Sequence, residues 1–227
     1  MTRTVLTRCT TLVFTLAAVL LLATPAFAGP PLLCHPFNIG DERSLPFDGP
    51  SWSKVSANYD TSHLINDTLS LLTADRPVIV RMETLRRATL YARHDSKLAS
   101  DLLNAFKTRA AKFDGARTRE AAMATFDLGY LAETYKQAAH ANTYHEAFWK
   151  FAQQDPKDID GYALITQAIA QIGGPQMEFA AAVVVSDKSK DKYRAHLNKA
   201  LPALNSDPLL ARNVAIVFPD AAKVAGL

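Results

Sequence analysis

From about residue 61 onward, apolar side chains recur every three to four positions, the spacing of one face of an α-helix. In SHLINDTLSLL, Leu64, Ile65, Leu69 and Leu72 share a face. Arg76-Pro77 ends that segment, and Pro77 suits the first turn of the next helix, with Asp75 near its cap. PVIVRMETLRRATLYARHD carries a second stripe of Val78, Met82, Leu85 and Ala92. Ser96 is placed to cap a third helix, lined by Leu98, Leu102, Ala105 and Phe106. After the break DGAR at 114–117, TREAAMATFDLGYLAETYKQAA aligns Leu128, Leu131 and Tyr135, with Phe126 and Tyr130 alongside. A helix is predicted over 144–151, and QQDPKDIDG reads as a charged connector. YALITQAIAQI then places Tyr162, Ile165, Ile169 and Ile172 in register, and GGP at 173–175 stops it. PQMEFAAAVVVSD, SKDKYRAHLNKAL and, after Asp207-Pro208, LLARNVAIVF complete the series. The run 183–185 is β-branched, but alanines and helices flank it, so it is assigned to a buried helix. The pattern predicts an all-α domain over 61–227, built of antiparallel helices with short connectors.

Residues 29–60 break the pattern. Pro30, Pro31, Pro36, Pro46 and Pro50, with Gly29, Gly40 and Gly49, exclude a continuous helix. The same stretch holds Leu32, Leu33, Phe37, Ile39, Leu45, Phe47 and Trp52, and disordered linkers are poor in such residues. An irregular N-terminal arm packed on the helices is expected.

The second half carries a family resemblance. PQMEFAAAVVVSDKSKDKYRAHLNKALPALNSDP resembles a tetratricopeptide repeat. In that resemblance Met177 and Val184 take large positions of the first helix, and Ala181 takes the small position where the helices cross. Leu197 and Ala200 take the large and small positions of the second helix. Pro175 and Pro208, 33 residues apart, frame the unit, whereas Tyr193 stands where the repeat has a small residue. Leu128-Gly129 is similar to the start of another unit. The resemblance implies helical hairpins stacked as a short right-handed solenoid, and a protein or peptide as partner. The opening GPPLLCHPFNIG also resembles the mature start of a set of exported bacterial proteins, a likeness that implies no activity.

The first 28 residues bear on location. Arg3 and Arg8 precede the apolar run LVFTLAAVLLLA, and Ala26 and Ala28 occupy the small positions before a cleavage site. This is the layout of a secretory signal peptide, and the apolar run is short for a membrane span. Export to the periplasm or beyond is expected, without membrane insertion after cleavage. Removal of residues 1–28 leaves 199 residues with 23 basic and 22 acidic side chains. Such a balance gives no electrostatic footprint for nucleic acid, although the whole chain has a pI near 8.8. Cys9 leaves with the signal peptide, so Cys34 is the one remaining cysteine and no internal disulfide can form.

Catalytic signatures are absent: G-x-S-x-G, the P-loop, H-E-x-x-H and C-x-x-C-H do not occur. No enzyme activity, cofactor or metal is expected. His145-Glu146 starts like a zincin helix but Trp149 replaces the second histidine, and His140 and His145 are five apart. His63 with Asp67 supplies two ligands at most, and His94-Asp95 reads as ordinary helix-end chemistry. Arg81, Glu83, Arg86 and Arg87 make a dense charged face. It reads as a solvated face, with a peptide-binding patch in a solenoid groove as the functional alternative. Tyr130, Tyr135, Tyr144 and Trp149 read as core aromatics, with a ligand platform as the alternative. Three roles compete for Cys34: an apolar anchor for the arm, an interchain disulfide in an otherwise monomeric protein, and a metal or redox ligand with His35. The apolar neighbours Leu32, Leu33 and Phe37 favour the anchor, whereas the pair with His35 is the basis of the alternative function.

Overall fold

The computed structural model describes residues 31–49, 51–140, 150–152 and 155–226. Among these the chain is helical, with no strand and a single antiparallel bridge joining Phe47 and Val55. The helices are α1 (Pro31–Cys34), α2 (Leu64–Leu71), α3 (Val78–Ala92), α4 (Ser96–Ala111), α5 (Arg119–His140), α6 (Gly161–Ile172), α7 (Pro175–Val185), α8 (Lys190–Ala200), α9 (Pro208–Val217) and α10 (Pro219–Val224). No helix among the described residues is long and apolar enough to cross a membrane.

Starts and stops follow local chemistry. Asp95, Asp160, Ser189 and Asp207 accept hydrogen bonds from Leu98 N, Ala163 N, Lys192 N and Leu210 N, capping α4, α6, α8 and α9. Asp95 therefore caps α4, and Ser96 is its first residue. Gly173 and Gly174 turn the chain at φ 63° and 123°, conformations that a side chain resists, and Pro175 opens α7. The start of α3 departs from the sequence expectation. Pro77 precedes the helix, no local side chain caps it, and the Ile79 amide donates instead to Gln176 Oε1 at 3.1 Å, a cap supplied across the fold by α7. The run 183–185 lies in helix α7.

Two helices are enclosed. Every residue of α3 except Arg87 is buried, as is α7 from Met177 to Val185. A helix covered on all sides belongs to the interior of a layered fold, and its periodic stripe marks only one of its contacts. Around them, α5 and α6 run antiparallel, with Gly161 against Glu133 and Leu164 against Gly129. A Cβ added to Gly129 would lie 2.6 Å from the Gly161 carbonyl, and one added to Gly161 would lie 2.4 Å from the Gly129 carbonyl. The two backbones meet there because neither carries a side chain. Helices α7 and α8, joined by residues 186–189, pack along one another, with Ala181 and Ala200 fully buried.

The arm lies on this body. A single helical turn, α1, begins it despite its prolines, because Pro31 sits at the first helical position, where the missing N–H costs nothing. Leu32, Leu33, Phe37 and Leu45 are buried in the common core, and Phe47 and Trp52 pack against it.

Candidate functional site

The charged segment of α3 is interior. Arg81, Glu83 and Arg86 are 0% exposed. The expected solvated face is corrected accordingly: arm and neighbouring helices cover it. Burial of charge is tolerated only with partners, and each group has them. Arg81 grips Asp127 of α5 through two bonds, 2.8 and 2.6 Å, and also donates to the Thr73 and Leu72 carbonyls. Arg109 of α4 joins the same carboxylate at 3.2 Å and the Leu72 carbonyl at 2.7 Å. Arg86 chelates Glu83 at 2.7 and 2.9 Å, and Arg87 adds a third bond to Glu83 at 2.7 Å.

The remaining hydrogen-bonding capacity of this cluster goes to the arm. Glu83 accepts from the Phe37 amide at 3.0 Å, and Arg86 donates to the Leu33 and Trp52 carbonyls at 3.0 and 2.6 Å. Arg87 donates to the Leu45 carbonyl at 2.6 Å, and the guanidinium groups of Arg86 and Arg87 both lie 5.0 Å from the Phe47 ring centroid. Gln137 accepts from the Leu32 amide at 2.8 Å. Asn213 of α9 reads both faces of Asn38, accepting from its amide and donating to its carbonyl, each at 2.8 Å. Tyr91 takes the Ser56 amide and gives its proton to the Pro46 carbonyl. Irregular backbone needs such partners because no ladder supplies them.

The other residues that the sequence singles out are placed as follows. Tyr130 and Tyr135 are fully buried and form no accessible platform. Tyr130 stacks on Phe126 and its hydroxyl has no hydrogen-bond partner among the described residues, whereas Tyr135 donates to the Ala99 carbonyl at 3.1 Å. Burial raises both phenols well above their usual range. Cys34 is partly exposed rather than buried, and burial outweighs the nearby Arg86 charge to raise its thiol pKa. His35 is half-buried beside it. Asp67 accepts from the Tyr59 hydroxyl at 2.7 Å, and His63 lies 3.7 Å from Asp60. Among the described residues no three His, Cys, Asp or Glu side chains converge as metal ligands. His140, Tyr144, His145, Glu146 and Trp149 have side chains outside the described residues, as does the whole segment 1–28.

A second polar arrangement escaped the sequence. Tyr162 on α6, Glu178 on α7 and His196 on α8 form a chain of hydrogen bonds. Nδ1 of His196 lies 2.5 Å from Glu178 Oε2, and its Nε2 lies 2.8 Å from the Tyr162 hydroxyl. A carboxylate only accepts, so Nδ1 donates to Glu178, and Nε2 and the Tyr162 hydroxyl share the second hydrogen bond. Burial, with the Glu178 charge nearby, holds Tyr162 above the usual phenol range, so it keeps its proton at neutral pH. Tyr162 borders a depression of about 300 Å³ between α5, α6, α7 and α8, which Lys136, Lys188 and Lys192 also line. Three positions on three helices, 16 and 18 residues apart, leave no signal in a linear pattern. Comparison with family models, curated proteins and solved structures returned no match to the chain.

Proposed function

We propose that this chain is an exported binding protein of the bacterial cell envelope, built on tetratricopeptide-like hairpins, that holds a polypeptide partner. The pair α7–α8, joined by residues 186–189, supports the hairpin reading, with Ala181 and Ala200 both fully buried. Helices α5 and α6, separated by residues 141–160, add a close antiparallel contact at Gly129 and Gly161 but are not joined by a short turn. The observation that carries the binding reading is how the helices treat an irregular chain. Glu83, Arg86, Arg87, Gln137 and Asn213 hold main-chain amides and carbonyls, a grip that works on any sequence. The arm fills that grip, and the cleft bordered by Tyr162 is left for the partner. Export rests on the signal-like segment 1–28.

Two measurements test the reading. Fractionation with N-terminal sequencing is expected to find the protein in the envelope fraction, starting at Gly29. A random-peptide array probed with the folded mature chain is expected to yield binders with dissociation constants in the micromolar range, about 8 kcal/mol of affinity. A chain that stays in the cytoplasm uncleaved, or binds no peptide, retires it.

A further inference from the structure

We infer that the cleft between α5, α6, α7 and α8 docks an acidic segment of the partner, with lysine ammonium groups receiving its carboxylates. The inference rests on the proposal that the partner is a polypeptide. Three ammonium groups, Lys136, Lys188 and Lys192, line the cleft against two carboxylates, Glu133 and Asp160. Asp160 is held at the start of α6 by the Ala163 amide at 2.9 Å and keeps its charge, so the lining has one ammonium group in excess. Glu133, 3% exposed, holds Lys136 at 2.8 Å and Lys188 at 2.7 Å. One buried carboxylate between two lysines fixes their ammonium groups at the mouth and leaves positive charge uncompensated. Lys192 sits 4.6 Å from the Tyr162 ring centroid. Tyr162 is in turn held through His196 to Glu178, each of which is 8% exposed. Buried polar groups thus support the lysines and the tyrosine at the cleft, while Val184 and Val185 supply an apolar wall.

Lysine ammonium groups are point charges that meet a carboxylate or a phosphate alike, so the test includes a phosphate arm. The cleft borders a second depression of about 510 Å³ that shares Lys136 and Lys188 and adds Lys157 together with Asp187. Ammonium groups spread along connected hollows suit several carboxylates carried at residue spacing by one chain.

The test uses the mature chain and fluorescence anisotropy of a labelled hexaglutamate peptide, with a Gly-Ser hexapeptide as control. Wild-type protein is expected to bind hexaglutamate alone, more weakly as salt rises. Lys188→Glu with Lys192→Glu is expected to weaken binding by about tenfold or more. Lys112→Glu, an exposed charge change elsewhere, is expected to leave it within about twofold. No hexaglutamate binding, or equal loss in Lys112→Glu, overturns the inference. Displacement by inorganic phosphate at concentrations where free glutamate has no effect also overturns it, by making the site one for phosphate. If array peptides bind but none is acidic, and Lys188→Glu with Lys192→Glu binds them unchanged, this inference fails while the polypeptide reading stands.

Discussion

Asp127 answers two arginines at once. Its carboxylate, itself fully buried, pairs with both Arg81 and Arg109. Taking one partner from a buried pair leaves an uncompensated charge in a medium that cannot solvate it. Asp127→Asn is expected to cost about 3–5 kcal/mol in urea unfolding. Removal of the exposed pair Lys97–Asp101 by Asp101→Asn is expected to cost no more than about 0.5 kcal/mol, because water and salt already screen it. Similar losses at the two sites would mean that the interior cluster is solvated.

At the scale of elements, the helix crossings are set by what is missing. Gly161→Ala would drive a Cβ into the Gly129 carbonyl and the Glu133 side chain, and backbone cannot give way as a flexible side chain can. Ala181→Leu would overfill the α7–α8 contact. Each is expected to destabilise by about 1–3 kcal/mol, while Lys190→Ala on the exposed start of α8 changes stability by less than about 0.5 kcal/mol. Equal effects at Ala181 and Lys190 would place the α7–α8 interface elsewhere. The arm is an element of a different kind, held by side-chain bonds to its backbone. With Cys34 partly exposed and its thiol pKa raised, native protein is expected to react with a thiol reagent slowly but measurably, and faster after denaturation. It is expected to run as a monomer on a non-reducing gel. Cys34→Ala is expected to hasten proteolysis between residues 29 and 60 without changing the helical circular dichroism signal. Rapid native labelling with a disulfide-linked dimer would assign Cys34 to an interchain role.

For the whole molecule, the buried tyrosines set an upper limit in pH. Tyr130 and Tyr135 have folded-state pKa values raised by burial, whereas the unfolded chain ionises its tyrosines near 10. Above that pH the unfolded state has fewer bound protons than the folded one, so stability falls as pH rises. Stability contributed by these residues is fully present below about pH 10 and is lost above it. The expected loss is about 1.4 kcal/mol per pH unit for each tyrosine. Tyr135→Phe, compared with wild type by urea unfolding, is expected to lose about 1.4 kcal/mol less than wild type over the whole range from about pH 9 to 11, because only the upper half of that range lies above the unfolded pKa. An unchanged loss would mean that Tyr135 ionises in the folded protein.

Periodicity and punctuation alone determined the longer helices. Leu, Ile, Ala and Val at 3.6-residue spacing, broken by Gly173-Gly174-Pro175 and Asp207-Pro208, define elements through interactions that are local in the chain. The apolar content of residues 29–60 likewise marks an arm that seeks a surface. Solvent exposure is not local, and there the tertiary structure decided. Arg81, Glu83, Arg86 and Arg87 have the composition of a solvated face, but Asp127 arrives from α5 and the arm's carbonyls from residues 33–52, which turns that face into the interior. Tyr162 falls on an apolar stripe, and only the convergence of α6, α7 and α8 makes it the end of a hydrogen-bonded chain through His196 to Glu178. A helix stripe records what each residue contributes to its own helix, whereas a polar site needs partners brought from other elements, and their meeting exists only in the folded chain.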